Sequence, residues 1–392
     1  MEREQRGLFS ALLLNFIVFG FTVTIFGATV PTVIRQFDWS YLATGIVLSA
    51  SAMGYFFSSF LSGFLIQRAG PKIVVVTGLV LQVVGLGLFG ANGSVAFNIM
   101  ATFLVGMGHG GTEVVTNFCV VRMERPGQSR LMNLMHAAFP VGAILGPVFV
   151  GWLVGTGQSW QLVFRSMSAT TGLLAVGFSF LNFGTVDLED EDGETRPRLG
   201  NLLGHPLLIF LFLTIFLYVG SEIGVSSWIS EYYVRVFGSS PASAAYMVSI
   251  FWGGILIGRL GTSLLYRGVR QAEILLALSC VAFGSLLLSL LAGNPTIAAA
   301  GFFVSGLGYS VIYPVDMAIV GERFKRGQSV ALGFVSTGGG IGSFSFPFIM
   351  AAIADAFGIR NGFWFYVVTT LVMALSAGTV LWLVRKIDGN NS

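Results

Sequence analysis

The chain has 392 residues, of which 54% are hydrophobic and 10% are charged, and its net charge is +3. Soluble globular domains carry about 25% charged residues, so this composition excludes a soluble protein built around one core and indicates many membrane spans. The modest net charge gives no indication of nucleic-acid binding. The two cysteines predict neither a disulfide framework nor a metal site.

Apolar stretches of about 20 residues, the length that crosses a bilayer as a helix, follow one another along the chain. They predict an all-α integral membrane protein with two pseudo-symmetric six-helix bundles, residues 1–185 and 205–392, joined by a polar cytoplasmic linker, residues 186–204. The twelve predicted spans lie near residues 9–34, 42–66, 72–92, 96–121, 130–155, 161–184, 205–234, 242–266, 271–292, 296–321, 328–354 and 362–384.

The distribution of lysine and arginine predicts the orientation of these spans. If the N-terminus is cytoplasmic, 17 of the 21 basic residues, including Arg259, fall on the cytoplasmic side. Loops on that side of a membrane are enriched in Lys and Arg, so we expect both termini in the cytoplasm. The short loops and the lack of an N-terminal targeting extension favour a bacterial inner (plasma) membrane.

The two halves also resemble each other at a constant offset of 200 residues. A constant register over several spans is unlike a chance match between apolar helices, and parallel repeats of this kind are typical of transporters. The matching residues include Phe16 and Phe216, Gly20 and Gly220, Ser40 and Ser240, Gly106 and Gly306, and Gly142 and Gly342.

The loop after the second span, GFLIQRAGPK at residues 63–72, resembles the G-x-L-x-D-R-x-G-R-R signature of the major facilitator superfamily. Gln67 occupies the position where that family usually has Asp, which puts the usual salt bridge of the loop in doubt. The matching positions are Gly63, Leu65, Arg68, Gly70 and Lys72. The resemblance implies the twelve-helix fold of that family.

Three further segments are similar to the fucose and glucose/mannose:proton symporter branch of that superfamily. They are GHGGTEVVTNF around Glu113, FLYVGSEIGVSSWISEYY around Glu222, and FWGGILIGRLGTSLL at residues 251–265. Fucose members carry an additional Asp in the first helix, and the first predicted span here has no acid. The resemblance is therefore closer to the glucose/mannose members.

Glu113 and Glu222 are acids near the middle of predicted spans. At 1.5 Å per residue, Glu113 lies about 13 Å from Arg122 at the end of its span, and Glu222 lies equally deep in the seventh span. Intramembrane acids are functional candidates by default, so each is a candidate for proton coupling or for binding a substrate hydroxyl. A protonated structural carboxyl remains an alternative. His136 is a rival proton site because imidazole titrates near neutral pH.

A sugar site needs polar groups for the hydroxyls and an aromatic wall for the C–H face. Trp and Tyr are also common at membrane interfaces, so packing or interfacial roles stay open for the aromatic candidates. The substrate-binding candidates are Asn15, Glu113, Asn117, Glu222, Trp228, Trp252, Tyr309 and Tyr313.

Charged residues at the cytoplasmic ends of spans form a third set of candidates. The turns at residues 121–130 and 321–329 occupy matching positions, and their opposite charges could form bridges that open during transport; simple positive-inside charge is the alternative. Asp316 lies about 9 Å from Glu322, which favours a gate or a structural ion pair over proton coupling. The gating candidates are Arg68, Lys72, Arg122, Glu124, Asp316, Glu322 and Arg323.

Together these features predict a secondary active transporter that imports a small sugar, a hexose such as glucose or mannose, with protons by alternating access. Sodium coupling of the same sugar transport is an alternative, as is a major facilitator that exports drugs or lipids. A non-transporting sensor is a third class. We expect no enzymatic activity, no cofactor besides the coupling ion, no metal, and a monomer whose partners are the sugar and the bilayer.

Overall fold

The computed structural model describes residues 3–124, 130–184, 204–265, 271–325 and 328–390. Within them the chain forms helices and no strand; the predicted linker up to residue 203 lies outside the described residues. The helices are α1 (Arg3–Phe37), α2 (Tyr41–Leu88), α3 (Val95–Met123), α4 (Arg130–Gly155), α5 (Gln161–Phe180), α6 (Pro206–Phe237), α7 (Pro241–Leu265), α8 (Gln271–Leu291), α9 (Pro295–Tyr309), α10 (Ile312–Arg323), α11 (Gln328–Phe357) and α12 (Ile359–Asn390).

These helices agree with the predicted spans except at two places. The predicted spans 42–66 and 72–92 form one element, α2, which bends at Gly70, where φ is +81°. That left-handed conformation favours glycine. The predicted span 296–321 is divided into α9 and α10. Pro314 explains this division, because proline has no N–H to bond the carbonyl of Ser310 four residues earlier.

The described helices include ten that are long and apolar enough to cross a membrane, if α9 and α10 are taken as one span. One of the ten is α2, whose 48 residues reach about 72 Å and therefore suffice for two crossings. α3 is not among the ten, because polar residues such as His109 and Glu113 lower its mean hydropathy. The protein is therefore a multi-pass membrane protein.

The chain divides into two compact units. The first contains the described residues of Met1–Asp190 together with two short pieces, Ile229–Val234 and Ser239–Ser249, and the second contains the remainder. Inside the first unit, α2 packs along α3 and α1 packs along α4. Within this unit, the Ser249 Oγ donates to the carbonyl oxygen of Ile144 at 2.7 Å. Inside the second unit, α8 packs against α9, α10 and α12.

Matching close contacts inside each unit show the repeat in the structure. In each unit two glycines lie so close to a neighbouring helix that an added Cβ would collide with a backbone carbonyl oxygen. In the first unit, Gly54 faces the carbonyl oxygen of Phe103, and Gly106 faces that of Ser51. In the second unit, Gly254 faces the carbonyl oxygen of Phe303, and Gly306 faces that of Phe251. Every residue of the second set is numbered 200 above its counterpart, so the two units pack these helices in the same way.

Candidate functional site: polar clusters inside the two units

The first cluster is built on α3, where His109, Glu113 and Asn117 follow one another at intervals of four residues and share a face. Glu113 is half-buried, and the Tyr55 side chain of α2 is its hydrogen-bond partner. The Nε2 atom of His109 lies 2.8 Å from the Thr22 hydroxyl of α1. Three helices of the first unit therefore contribute to one polar cluster around Glu113.

Glycine beside Glu113 makes this arrangement possible. A Cβ at Gly110 would lie 2.5 Å from the carbonyl oxygen of Tyr55, which is closer than a real Cβ approaches an oxygen. The absence of a side chain therefore lets α2 approach α3 and brings Tyr55 to Glu113. The sequence GHGGTE thus combines the packing surface and the acid on neighbouring faces of α3.

Two asparagines of the first unit carry buried polar atoms that have no hydrogen-bond partner in the structure. They are the Nδ2 atom of Asn15 on α1 and the Oδ1 atom of Asn117 on α3. Buried polar atoms are nearly always satisfied by protein or water. His136, on α4, is exposed, and its ring meets the edge of Phe16 with centroids 5.5 Å apart.

The second cluster surrounds Glu222 on α6, which is 6% exposed. The Tyr218 hydroxyl, one turn earlier, donates to its carboxylate at 2.7 Å. The guanidinium of Arg259, on α7, lies close enough to act electrostatically on the same carboxylate. This acid is therefore held by a hydroxyl and by an opposite charge.

The structure gives Arg259, which the sequence interpretation counted among the cytoplasmic charges, two further contacts. Its Nε atom donates to the carbonyl oxygen of Ser310 at 3.0 Å. That carbonyl lies in the break between α9 and α10, and Pro314 leaves it without its usual helical partner. The Ser310 carbonyl and the Glu222 carboxylate together give Arg259 the polar partners that a charged side chain needs within a span.

Aromatic side chains pack around the second cluster. Tyr309 lies with its ring 6.0 Å from that of Tyr218, and its hydroxyl lies 2.8 Å from the Thr370 hydroxyl. Trp252 donates to the Ser226 hydroxyl at 2.7 Å. Trp228 is also fully buried in α6. Tyr313 differs from these, because it is 37% exposed and its hydroxyl lies 3.2 Å from that of Ser336.

The two clusters share one pair of positions that the repeat relates, although Glu113 and Glu222 are not counterparts of each other. Thr22 and Glu222 are 200 residues apart, and so are His109 and Tyr309. In the first unit Thr22 and His109 are hydrogen-bonded, and in the second unit Glu222 acts electrostatically on Tyr309. The same pair of positions therefore interacts in both units, with different chemistry in each.

Two of the gating candidates of the first unit, Glu124 and Arg122, have local partners. The Glu124 carboxylate accepts hydrogen bonds from the backbone N–H groups of Leu131 and Met132, at 2.7 and 3.3 Å, and so caps the first turn of α4. The Arg122 guanidinium lies 4.5 Å from the Phe118 ring centroid. Beside the bend of α2, Arg68 is exposed and Lys72 is half-buried.

In the second unit, Arg323 forms a bidentate ion pair with Asp388 of α12, at 2.6 and 3.0 Å. Glu322 is exposed. Asp316 is fully buried, and neither of its carboxylate oxygens has a hydrogen-bond partner. Its predicted role as a gate or in a structural ion pair therefore stays a prediction. Bridges between the turns at residues 121–130 and 321–329 stay a prediction.

Three features that sequence reasoning missed are Tyr55, Tyr218 and the role of Arg259. Tyr218 precedes Glu222 by four residues, so helical spacing could have identified it. Tyr55 and Arg259 lie on other helices than the acids that they contact, and one sequence alone does not pair helices. The signal for Arg259 was Pro314, which predicts a break in the tenth span.

Comparison with known proteins agrees with this architecture. The model of the Major Facilitator Superfamily matches residues 12–296 and 266–391. A glucose/galactose transporter of Brucella abortus is 26% identical over 377 residues, covering 90% of this chain and 89% of that protein.

Two solved structures have the same fold. An inward-facing, unoccupied bacterial homologue of the human lysosomal transporter Spinster superposes with a TM-score of 0.82, 13% identity and 97% coverage of both chains. The E. coli fucose:proton symporter superposes with a TM-score of 0.64 and 19% identity, covering 96% of this chain and 99% of the symporter. The chain is thus a multi-pass membrane transporter that belongs to the Major Facilitator Superfamily.

Proposed function

We propose that the protein is a sugar transporter that couples the uptake of a hexose, such as glucose, galactose or mannose, to protons. The observation that carries this proposal is the half-buried Glu113, an acid of α3 in the fourth predicted span, hydrogen-bonded to Tyr55 and one turn from Asn117. Ionisable groups at such depth mark substrate or ion pathways. The relative from Brucella abortus, named a glucose/galactose transporter, supports a sugar as the substrate.

The chemistry of the first cluster suits a polyhydroxylated ligand. The Glu113 carboxylate can accept hydrogen bonds from sugar hydroxyls, and the amide groups of Asn15 and Asn117 can donate and accept. The buried amide atoms without partners would gain hydrogen bonds when a sugar enters. A purely apolar drug would leave them unsatisfied, which disfavours the export of such compounds.

The two acids are suited to different roles. Glu222 has an opposite charge, Arg259, beside it, and such a partner stabilises the ionised carboxylate. Among the residues that the structure describes, the side chain bonded to Glu113 is the neutral Tyr55, and no basic side chain acts on it. We therefore assign the coupling proton to Glu113 and assign Glu222 to the organisation of the second cluster. His136 remains a second candidate for the proton because it is exposed.

Transport in proteoliposomes tests this proposal. The purified protein and the variants Glu113→Gln and Glu222→Gln are compared in hexose counterflow, which needs no proton gradient, and in uptake driven by an imposed proton gradient. We expect Glu113→Gln to retain counterflow and to lose proton-driven accumulation. Asp355→Asn, which changes an exposed acid of α11, serves as the control.

Each assignment has its own contradicting result. If Glu113→Gln still accumulates hexose with the proton gradient, Glu113 does not carry the coupling proton. If a sodium gradient drives uptake and a proton gradient does not, the transporter is sodium-coupled. If the intact protein moves no hexose in either assay, the sugar assignment fails, and drugs and lipids become the substrates to examine.

A further inference from the structure

A cavity of about 390 Å³ lies in the first unit, between the last turn of α1 and the corner that joins α4 to α5. The charge distribution predicts that this end of the unit faces outside. The volume is within the range of small-molecule sites, about 300–1,000 Å³. Most of the polar lining comes from Arg35, Gln36, Gln158, Ser159, Trp160 and Gln161. We call this space the Arg35 cavity.

Arg35 is the one charged residue in the lining of this cavity. It is exposed in the last turn of α1, and within the described part of the chain no acid forms an ion pair with it. Asp38, the acid nearest to it in sequence, does not line the cavity. A guanidinium carries five N–H donors and no acceptor, so Arg35 offers donors and a positive charge to a ligand.

The hydrogen bonds around Gln36 determine which group of its amide is left for a ligand. The indole Nε1 of Trp160, which can only donate, lies 2.6 Å from the Oε1 atom of Gln36, and Gln161 Nε2 donates to the same oxygen at 3.2 Å. The oxygen of Gln36 is therefore occupied, and its NH₂ group remains a donor. Gln161 is itself held in place, because its Oε1 accepts from the Ser159 hydroxyl.

A cavity of the second unit shows the contrast. It has a volume of about 330 Å³ and lies between α8, α10 and α12. Its Arg323 is paired with Asp388. Its Arg385 is paired with Glu273. Both arginines of that cavity are thus compensated, whereas the Arg35 cavity has one positive charge and no negative charge in its lining. A lining with this charge attracts an anion.

Exposed apolar side chains indicate the depth of the Arg35 cavity in the membrane. Trp152, on α4, is 58% exposed and precedes the lining residue Gly157 by five positions. Leu162, next to Gln161, is 46% exposed. An exposed tryptophan near the end of a span is typical of the boundary between the hydrocarbon and the headgroups. Phosphate groups of lipids lie at this level, and basic pockets between helices can bind them.

We propose that the Arg35 cavity is a binding site for a phosphate group, separate from the sugar site around Glu113. The guanidinium of Arg35 forms two parallel hydrogen bonds to phosphate oxygens, and the NH₂ group of Gln36 donates to the same phosphate. The phosphate belongs to a phospholipid headgroup or is free in solution, and the same donors recognise it in both cases.

Binding to the delipidated protein in detergent tests this proposal without sugar or an ion gradient, so the result does not depend on the transport proposal. Native mass spectrometry counts bound phosphatidylglycerol during a titration. The midpoint of thermal unfolding reports a titration with inorganic phosphate against chloride at equal ionic strength. We expect Arg35→Gln to weaken binding tenfold or more. Arg35→Lys keeps the charge but loses the paired donors, so its affinity should be intermediate.

Gln36→Glu is a second, nearly isosteric variant. It keeps an oxygen that accepts from Trp160 and replaces the NH₂ donor with a negative charge, so we expect a loss at least as large as that of Arg35→Gln. Arg360→Gln removes an exposed arginine of α12 and should bind like the wild type. Unchanged unfolding midpoints without ligand show that the variants are folded.

The two probes identify the source of the phosphate. If the variants lose phosphatidylglycerol and the wild type does not respond to inorganic phosphate, the site binds a lipid headgroup. If the variants lose a response to inorganic phosphate, the site binds free phosphate. The proposal is overturned if neither probe binds the wild type, if Arg35→Gln and Gln36→Glu bind both probes as tightly as the wild type, or if Arg360→Gln weakens binding equally.

Discussion

The polar clusters of the two units share one pair of repeat-related positions, but their acids, Glu113 and Glu222, are not counterparts and are satisfied differently. Around Glu222, the carboxylate has a tyrosine hydroxyl and an arginine, and the acid is almost completely buried. Around Glu113, the partner within the described part of the chain is a tyrosine, and the acid is half-buried. An acid with an opposite charge beside it is suited to a fixed structural role. An acid with a neutral partner is suited to exchange a proton.

The largest expected effect comes from removing the charge that distinguishes the second cluster. Arg259→Met leaves the Glu222 carboxylate without its opposite charge inside the membrane. Breaking one partner of a buried pair costs about 3 kcal/mol or more, so we expect a large decrease in the free energy of unfolding. The midpoint of thermal unfolding in detergent measures this decrease.

A second substitution shows whether charge is the cause. The double variant Arg259→Met with Glu222→Gln has no uncompensated charge, so it should recover most of the lost stability. Arg360→Gln, at an exposed position of α12, is the control for losing an arginine. If Arg259→Met is as stable as the wild type, Arg259 does not hold Glu222, and the contrast between the clusters disappears.

The next effect concerns the scaffold that the two units share. Gly254→Ala places a Cβ against the carbonyl oxygen of Phe303, and Gly54→Ala does the same at Phe103. Overpacking of this kind costs about 1–3 kcal/mol, and we expect similar losses of thermal stability in the two variants. At Gly253, next along α7, the nearest atom is 3.9 Å away, so Gly253→Ala should be neutral or stabilising. Unequal losses at Gly54 and Gly254 would show that the units do not pack equivalently.

Sequence reasoning predicted most of the helices because a bilayer imposes a length and a hydropathy on each span. It also predicted the repeat, since Gly106 and Gly306 share a register that the close contacts confirm. The division of the tenth span was missed, although Pro314 carried the signal. Span prediction from hydropathy and length gives one continuous span here, because apolar residues continue on both sides of the break.

The candidate site was predictable only in part. An acid inside an apolar stretch is visible in the sequence, so Glu113, Glu222 and Asp316 were all identified as candidates. Their partners were not, because the contact between Glu222 and Arg259 depends on which helices are neighbours. The exposure of each acid could not be predicted from the sequence either. Asp316, expected near the cytoplasmic end, is more completely buried than Glu113.

The smallest expected effect separates the two tyrosines. Tyr218→Phe removes a hydrogen bond to the buried Glu222 carboxyl, and a buried hydrogen bond contributes about 1 kcal/mol or more, so we expect a lower midpoint of thermal unfolding. Tyr55→Phe removes the partner of a partly exposed acid, and we expect a smaller loss of stability, under about 1 kcal/mol.

The main effect of Tyr55→Phe should be on transport, because a hydrogen-bond donor to a carboxylate favours the ionised form. Without the Tyr55 hydroxyl, Glu113 would hold its proton more tightly, and the pH at which proton-driven uptake is half-maximal should rise. Tyr218→Phe should leave that pH unchanged. If Tyr218→Phe shifts the pH profile and Tyr55→Phe does not, the coupling proton belongs to the second cluster and the roles of the two acids are exchanged.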